Sequence, residues 1–212
     1  MVRSIVSSGI VSASLGLLLL SAGCGGGTVE GRSSGPVLTA DADDPIVFGE
    51  VPEFRFLDQD GKEVTREDLR GHPFAVAAIF TRCAGPCPRI TAGMRRLQDE
   101  LEGTDVRLVS VSVDPSYDRP EVLAQYASNY TADTSRWSFL TGTEEEVEAF
   151  LKDGLWLPLA RAEAGAEPAK AVTHSTKIVA IDREGRIRGW YDGIDEKERE
   201  LLRRRLIALA ES

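Results

Sequence analysis

Seven residues in a row, Phe74-Ala75-Val76-Ala77-Ala78-Ile79-Phe80, are apolar. A strand buried on both faces has this composition, so the chain must supply cover on both sides of a sheet. Three positions on comes Cys83-Ala84-Gly85-Pro86-Cys87-Pro88. Pro88 suits the first position of a helix. Ile90, Met94, Leu97 and Leu101 then recur at helical spacing. The two cysteines therefore stand where a buried strand gives way to a helix. This junction constrains the fold more than any other stretch of the chain.

The flanking sequence extends the pattern. Phe54–Leu57 and Lys62–Thr65 bracket Asp58-Gln59-Asp60-Gly61, which predicts a β-hairpin with Gly61 at the tight position. Thr65–Leu69 suits a short helical turn capped by Thr65. Val106–Val113 predicts a second buried strand. Pro120–Tyr130 and Thr143–Leu151 predict helices, the latter with Thr143 as N-cap and Glu144, Glu145 and Glu146 in its first turn. Thr176–Ile181 and Arg186–Tyr191 flank Asp182–Gly185 as a second hairpin, and Glu196–Leu209 closes the chain as an amphipathic helix. Strands alternating with helices define an α/β fold with a central mixed sheet flanked by helices and an N-terminal β-hairpin. A strand–helix–strand unit followed by a hairpin and a helix resembles the thioredoxin plan, which keeps its redox pair at this same strand-to-helix junction.

The first 44 residues are of a different kind. Ile5–Leu20 is apolar or small and ends in four leucines, then Ser21-Ala22-Gly23-Cys24 follows. This resembles the lipobox of bacterial lipoproteins, with Ser21 where that motif usually has leucine. The resemblance implies a signal peptide over 1–23, cleavage before Cys24 and a lipid on its thiol. The run is short for a transmembrane span, which needs about 20 apolar residues. Residues 24–44, rich in Gly, Ser, Thr and Asp, read as the lipidated cysteine and a flexible linker, leaving 45–212 as the folded domain. The expected location is the bacterial cell envelope, membrane-anchored and facing the periplasm or exterior, where disulfides persist. A net charge of -9 argues against nucleic acid, which recruits Lys and Arg to phosphate.

With Cys24 lipidated, Cys83 and Cys87 are the only thiols left to the domain. Residues four apart near a helix start have Cα atoms about 6 Å apart, within reach of a disulfide or of one shared ion. The helix N-terminus beside Cys87 favours a thiolate, which is both nucleophile and soft-metal ligand. His174 stands just before the Thr176–Ile181 strand, where a thioredoxin plan usually has a cis-proline packed against the cysteines. Two thiolates and an imidazole suit copper, as Cu(I) or Cu(II), better than zinc, which prefers four ligands. Met94 is the only methionine besides Met1, which excludes a Met-rich copper carrier. A structural disulfide is the plainer alternative, although one closing so short a loop stabilises little. A metal-free thiol–disulfide oxidoreductase, attacking through the more exposed Cys83, is another. A peroxiredoxin would need Thr-x-x-Cys, and Thr81 stands two before Cys83. Asp114 either tunes the site or a partner surface, or caps the turn after its strand. His72 reads as a turn residue, and Trp190 and Tyr191 as packing.

Taken together, Phe56–Gly61, Phe80–Pro88, Val106–Pro115, Trp137–Gly142, His174-Ser175 and Asp182–Gly193 resemble the Sco/SenC family of copper-binding, thioredoxin-fold proteins. The family motif Cys-x-x-x-Cys-Pro with a distant histidine falls on Cys83, Cys87 and His174. The resemblance implies a membrane-tethered copper chaperone. Its partners would be the copper-bearing subunit of cytochrome c oxidase, whose binuclear centre it helps to assemble, and other copper carriers. It also implies a thiol–disulfide reductase activity toward target cysteines. Family members often carry proline directly after the first cysteine, and here that residue is Ala84.

Overall fold

The computed structural model describes residues 46–163 and 165–212. The signal peptide, the Cys24 lipid and the linker expected over 1–44 lie outside the described residues. Among those residues, no helix is long and apolar enough to cross a membrane.

The apolar run forms strand β4 (Phe74–Ile79), following β1 (Gly49–Glu50), β2 (Arg55–Leu57), β3 (Glu63–Thr65) and helix α1 (Arg66–Leu69). All six β4 residues are buried, as a strand covered on both faces requires. Helix α2 (Cys87–Glu100), strand β5 (Arg107–Ser112), helix α3 (Pro120–Asn129), strand β6 (Trp137–Leu140) and helix α4 (Glu144–Ala149) follow. A π-helical turn at Phe150–Gly154 leads to two short strands, β7 (Leu159–Arg161) and β8 (Val172–His174). The chain then forms β9 (Lys177–Ile181), β10 (Arg186–Asp192) and α5 (Glu196–Glu211).

The central sheet has the order β1-β10-β9-β4-β5-β6. β4, β5 and β6 run parallel, while β9 pairs antiparallel with β4 and β10, and β10 with β1. The sheet is mixed, as the element order predicts, and the fold is thioredoxin-like. Both predicted hairpins form, and one device makes both turns. Asp58 Oδ1 accepts the amides of Asp60 and Lys62, and Asp182 Oδ1 those of Glu184 and Arg186. Gly61 and Gly185 supply the positive φ that each turn demands, at 74° and 83°.

α2 buries Ile90, Met94 and Leu97, and α5 buries Leu202, Leu206 and Leu209. The predicted cap at Thr143 is present as a capping box with Glu146. Phe54, Phe56 and Phe150 join the β2–β3 hairpin to the end of α4, with ring centroids 5.0 to 5.3 Å apart.

Four strands carried no periodic signal in the sequence. β1 is two residues long, β6 four, and β7 and β8 three each. Segments this short owe their form to the strands they pair with. One expectation is corrected as a result. His174 ends β8 in a separate two-stranded sheet, with Ser175 and Thr176 standing between it and β9.

Candidate metal centre

Cys87 is the first residue of α2 and is fully buried, with Pro88 following it in the first turn. Cys83 lies in the preceding loop, half-buried, its sulfur accepting the Gly85 amide at 3.3 Å. Both thiols are free. The third residue arrives from 87 positions further along. β7 and β8 pair with Leu159 opposite His174, and the Ser175 amide donates to the Pro158 carbonyl at 3.0 Å. This hairpin brings His174 Nε2 to 3.0 Å from Cys87 Sγ. One donor atom from each of Cys83, Cys87 and His174 lies within 4.8 Å of the other two. Among the described residues this is the group of His, Cys, Asp and Glu side chains able to hold a metal.

The hydrogen bonds fix the state of the ring. His174 Nδ1 lies 2.9 Å from the Ser175 carbonyl, which can only accept, so Nδ1 carries the proton. Nε2 then presents its lone pair to Cys87. A backbone carbonyl that orients an imidazole in this way is the usual partner of a metal-bound histidine. Phe80 meets the ring edge-on, with centroids 5.9 Å apart.

Burial holds His174 below the ordinary histidine value, against the opposing pull of the Ser175 carbonyl. Burial also pushes the Cys87 thiol well up, and the neighbouring Cys83 adds to the rise. The expectation of a Cys87 thiolate favoured by the helix N-terminus is therefore reversed. In the metal-free protein Cys87 is a thiol donating to His174, because complete desolvation outweighs the helix dipole. Cys83 is the accessible sulfur, as the sequence reading has it. It borders a cleft of about 200 Å³ shared with Gly85, Pro86, Val172, Thr173 and His174.

Asp114 does not reach the sulfurs. Its buried carboxylate accepts from Arg82 Nε at 3.1 Å and Nη2 at 2.6 Å, and its backbone carbonyl accepts the amides of Tyr117 and Asp118. It thus shapes its own turn and grips the residue before Cys83. Asp118, unmarked in the sequence, is fully buried and accepts from the Thr81 amide at 3.0 Å, the Thr81 hydroxyl and the Ser112 hydroxyl. Thr81, Arg82 and Asp118 carried no distinguishing signal beyond proximity to Cys83 and the four-residue spacing of the two aspartates. His72 lies beside Asp105, 3.5 Å away, and takes no part in the site. Trp190 packs on Phe48 with ring centroids 5.0 Å apart, and Tyr191 is buried. A larger groove of about 760 Å³ between Phe54, Phe56 and Phe150 contains no such donor group.

A thioredoxin-like fold with two sulfurs and one imidazole converging on an open cleft defines a class of soft-metal or dithiol protein. The model of the SCO1/SenC family matches residues 47–208, and the chain belongs to that family. A SCO1/SenC family lipoprotein from Bacillus anthracis is 35% identical, with a TM-score of 0.70 over 76% of this chain and 95% of that one. BsSco, described as a member of the Sco family of cytochrome c oxidase assembly proteins with a disulfide switch, is 32% identical. Its TM-score is 0.66 over 80% of this chain and 98% of that one. Arabidopsis thaliana ScoI, solved with copper bound, is 22% identical with a TM-score of 0.64, over 76% and 98% of the two chains. At that identity the likeness is one of fold.

Proposed function

We propose that this protein carries copper on Cys83, Cys87 and His174 and delivers it for assembly of the binuclear copper centre of cytochrome c oxidase. The observation that carries this reading is the imidazole. His174 reaches Cys87 from a separate hairpin, with its Nδ1 already committed and its Nε2 aimed at the sulfur pair. A protein needing only a dithiol has no use for that arrangement. Two soft sulfurs and one nitrogen suit copper, and an open cleft beside Cys83 leaves room for a receiving protein's ligand. Copper bound there would hold both cysteines as thiolates, displacing the proton that Cys87 shares with His174. The partners are the copper-bearing subunit of cytochrome c oxidase and other copper carriers. The lipobox-like Ser21-Ala22-Gly23-Cys24 supports a lipid tether on the outer face of a bacterial membrane, with residues 24–44 as its linker.

A second reading draws on the two free thiols and the exposure of Cys83. Cys83 would attack a partner disulfide, and Cys87 would then resolve the mixed disulfide. The pair would give up two electrons and two protons, and the partner would be left as a dithiol. Oxidation of the pair removes two of the three copper ligands, so the two activities exclude each other in time.

The experiment is copper loading of the reduced protein. One copper per chain is expected. Cys83→Ser, Cys87→Ser and His174→Ala should each cost more than the roughly 10–100-fold brought by loss of an outer-shell partner. Unaltered affinity in His174→Ala would defeat this ligand assignment, and no copper uptake by the parent, with disulfide-reductase turnover intact, would leave the metal-free reading in its place.

A further inference from the structure

The two halves of the site come from distant parts of the chain, yet both are tied to the same turn. β5 ends at Ser112, and the Val113 amide donates to the Ile79 carbonyl at 2.8 Å, holding the start of the turn to the end of β4. The turn is closed internally by the Asp114 amide on Ser112 Oγ at 3.1 Å and the Asp118 amide on the Asp114 carbonyl at 2.9 Å. On one side Asp118 and Asp114 hold Thr81 and Arg82, the two residues before Cys83. On the other, Arg161 of β7 donates through Nη1 to the Val113 carbonyl at 3.2 Å. Arg161 pairs with Val172, two residues from His174 in the same short hairpin.

We infer that the turn Val113–Asp118 is the common reference that sets the separation of His174 from the cysteines. Asp118 is the positioning residue on the sulfur side, and Arg161 on the imidazole side. This deepens the copper reading and rests on it. The β7–β8 hairpin pairs with no strand of the central sheet. Leu159 and Val172 seat it on the core, and its register there depends on side-chain and loop bonds. Arg161 supplies the one that ends next to Asp114, while its Nε faces Glu144 of α4 at 3.4 Å. The Asp118 carboxylate receives three donors, two of them hydroxyls that can rotate. An amide at this position can satisfy the same partners, whereas a methyl cannot. The conservative and truncating variants therefore separate positioning from mere occupancy.

The test uses the full chain with Asp118→Ala, Asp118→Asn, Arg161→Met and Arg161→Lys. Two readouts need no metal: the Cys83–Cys87 dithiol–disulfide equilibrium in a glutathione buffer, and the ring nitrogen chemical shifts of His174. The third is copper affinity, with the paramagnetic resonance spectrum of the Cu(II) form. Asp118→Ala should shift the thiol equilibrium by about tenfold while leaving the His174 shifts in place, and Asp118→Asn should restore it. Arg161→Met should move the His174 shifts most, with a smaller change at the thiols through the Cys87–His174 bond, and Arg161→Lys should recover part of both. Each truncation should weaken copper by roughly 10–100-fold, as outer-shell losses do. The double variant should lose less than the sum, because both act on one separation. The inference is overturned if all four variants match the parent. It is equally overturned if truncating and conservative variants lose copper alike, in step with melting temperature. A parent that takes up no copper would defeat the copper reading, while the thiol and imidazole readouts would still decide the role of the turn.

Discussion

The sulfur side and the imidazole side of the site are built to different standards. Cys87 sits between a strand with all six residues buried and a helix anchored by Ile90, Met94 and Leu97. The residues before Cys83 are held by two buried aspartates. His174 instead ends a three-residue strand in a two-stranded sheet of its own, where Ala160 and Thr173 point to solvent. Packing of this kind gives low local stability. One half of the site is thus built into the central sheet and its helix, and the other is docked on the core through Leu159 and Val172 alone. The proposed affinity for copper then depends on how often the docked half is in place, since a fractionally populated competent state lowers apparent affinity by that fraction.

Hydrogen exchange would break this comparison most directly. β4 amides should exchange only through global unfolding, and β8 amides through local opening that is a few kcal/mol cheaper. That gap corresponds to exchange roughly 1,000-fold faster in β8. Copper should slow β8 selectively, because it joins the hairpin to the core. Equal protection of β4 and β8 in the metal-free protein would show that both halves belong to one cooperative unit.

Core truncation should produce the next largest contrast. Leu97→Ala in α2 removes a fully buried side chain and should cost about 2–5 kcal/mol on chemical denaturation. Val172→Ala in β8 trims a smaller side chain at the edge of the same core and should cost about 1 kcal/mol. Its larger effect should be on copper affinity. A Val172→Ala loss equal to that of Leu97→Ala would show that the hairpin unfolds only together with α2.

The same division decides how much could be read from sequence. The sulfur half was legible because its signals are local: an unbroken apolar run, a proline at a helix start and a helical repeat of large side chains. Both hairpin turns were legible because aspartate and glycine are required in those positions for separate steric and hydrogen-bonding reasons. β6 was not, since Trp137-Ser138-Phe139-Leu140 takes its conformation from pairing with β5. β7 and β8 were not, because three residues carry no period. His174 was placed against the cysteines by family resemblance and by the vacancy of a proline position. Its actual support, a hairpin end and the Ser175 carbonyl, depends on pairing across ten intervening residues. Asp118 was missed because an aspartate four residues after another has no local mark of burial.

The smallest predicted effect is in pH dependence, and it sharpens the contrast between the halves. Burial places His174 below its ordinary value of 6.5, so the native state binds that proton less readily than the unfolded chain. The neutral ring therefore supports the fold above pH 6.5, and this support is lost as pH falls from 6.5 through the lowered native value. Burial places Cys87 above its ordinary 9.0, so its contribution is complete below pH 9 and is lost as pH rises beyond it. Tyr126, raised above 10.0 by burial, adds a limb of the same sign from pH 10 upward. Melting temperature should therefore be flat between about pH 6.5 and 9, with a shallow decline above that range from Cys87 and Tyr126. Cys87→Ser should remove the part of the alkaline decline that begins before Tyr126 titrates. If the imidazole is only docked, the acid limb should appear as faster β8 exchange at a nearly constant melting temperature, because local opening exposes the ring without global unfolding. A full loss of melting temperature on the acid side, abolished by His174→Gln, would instead make His174 part of the cooperative core and erase the distinction between the two halves.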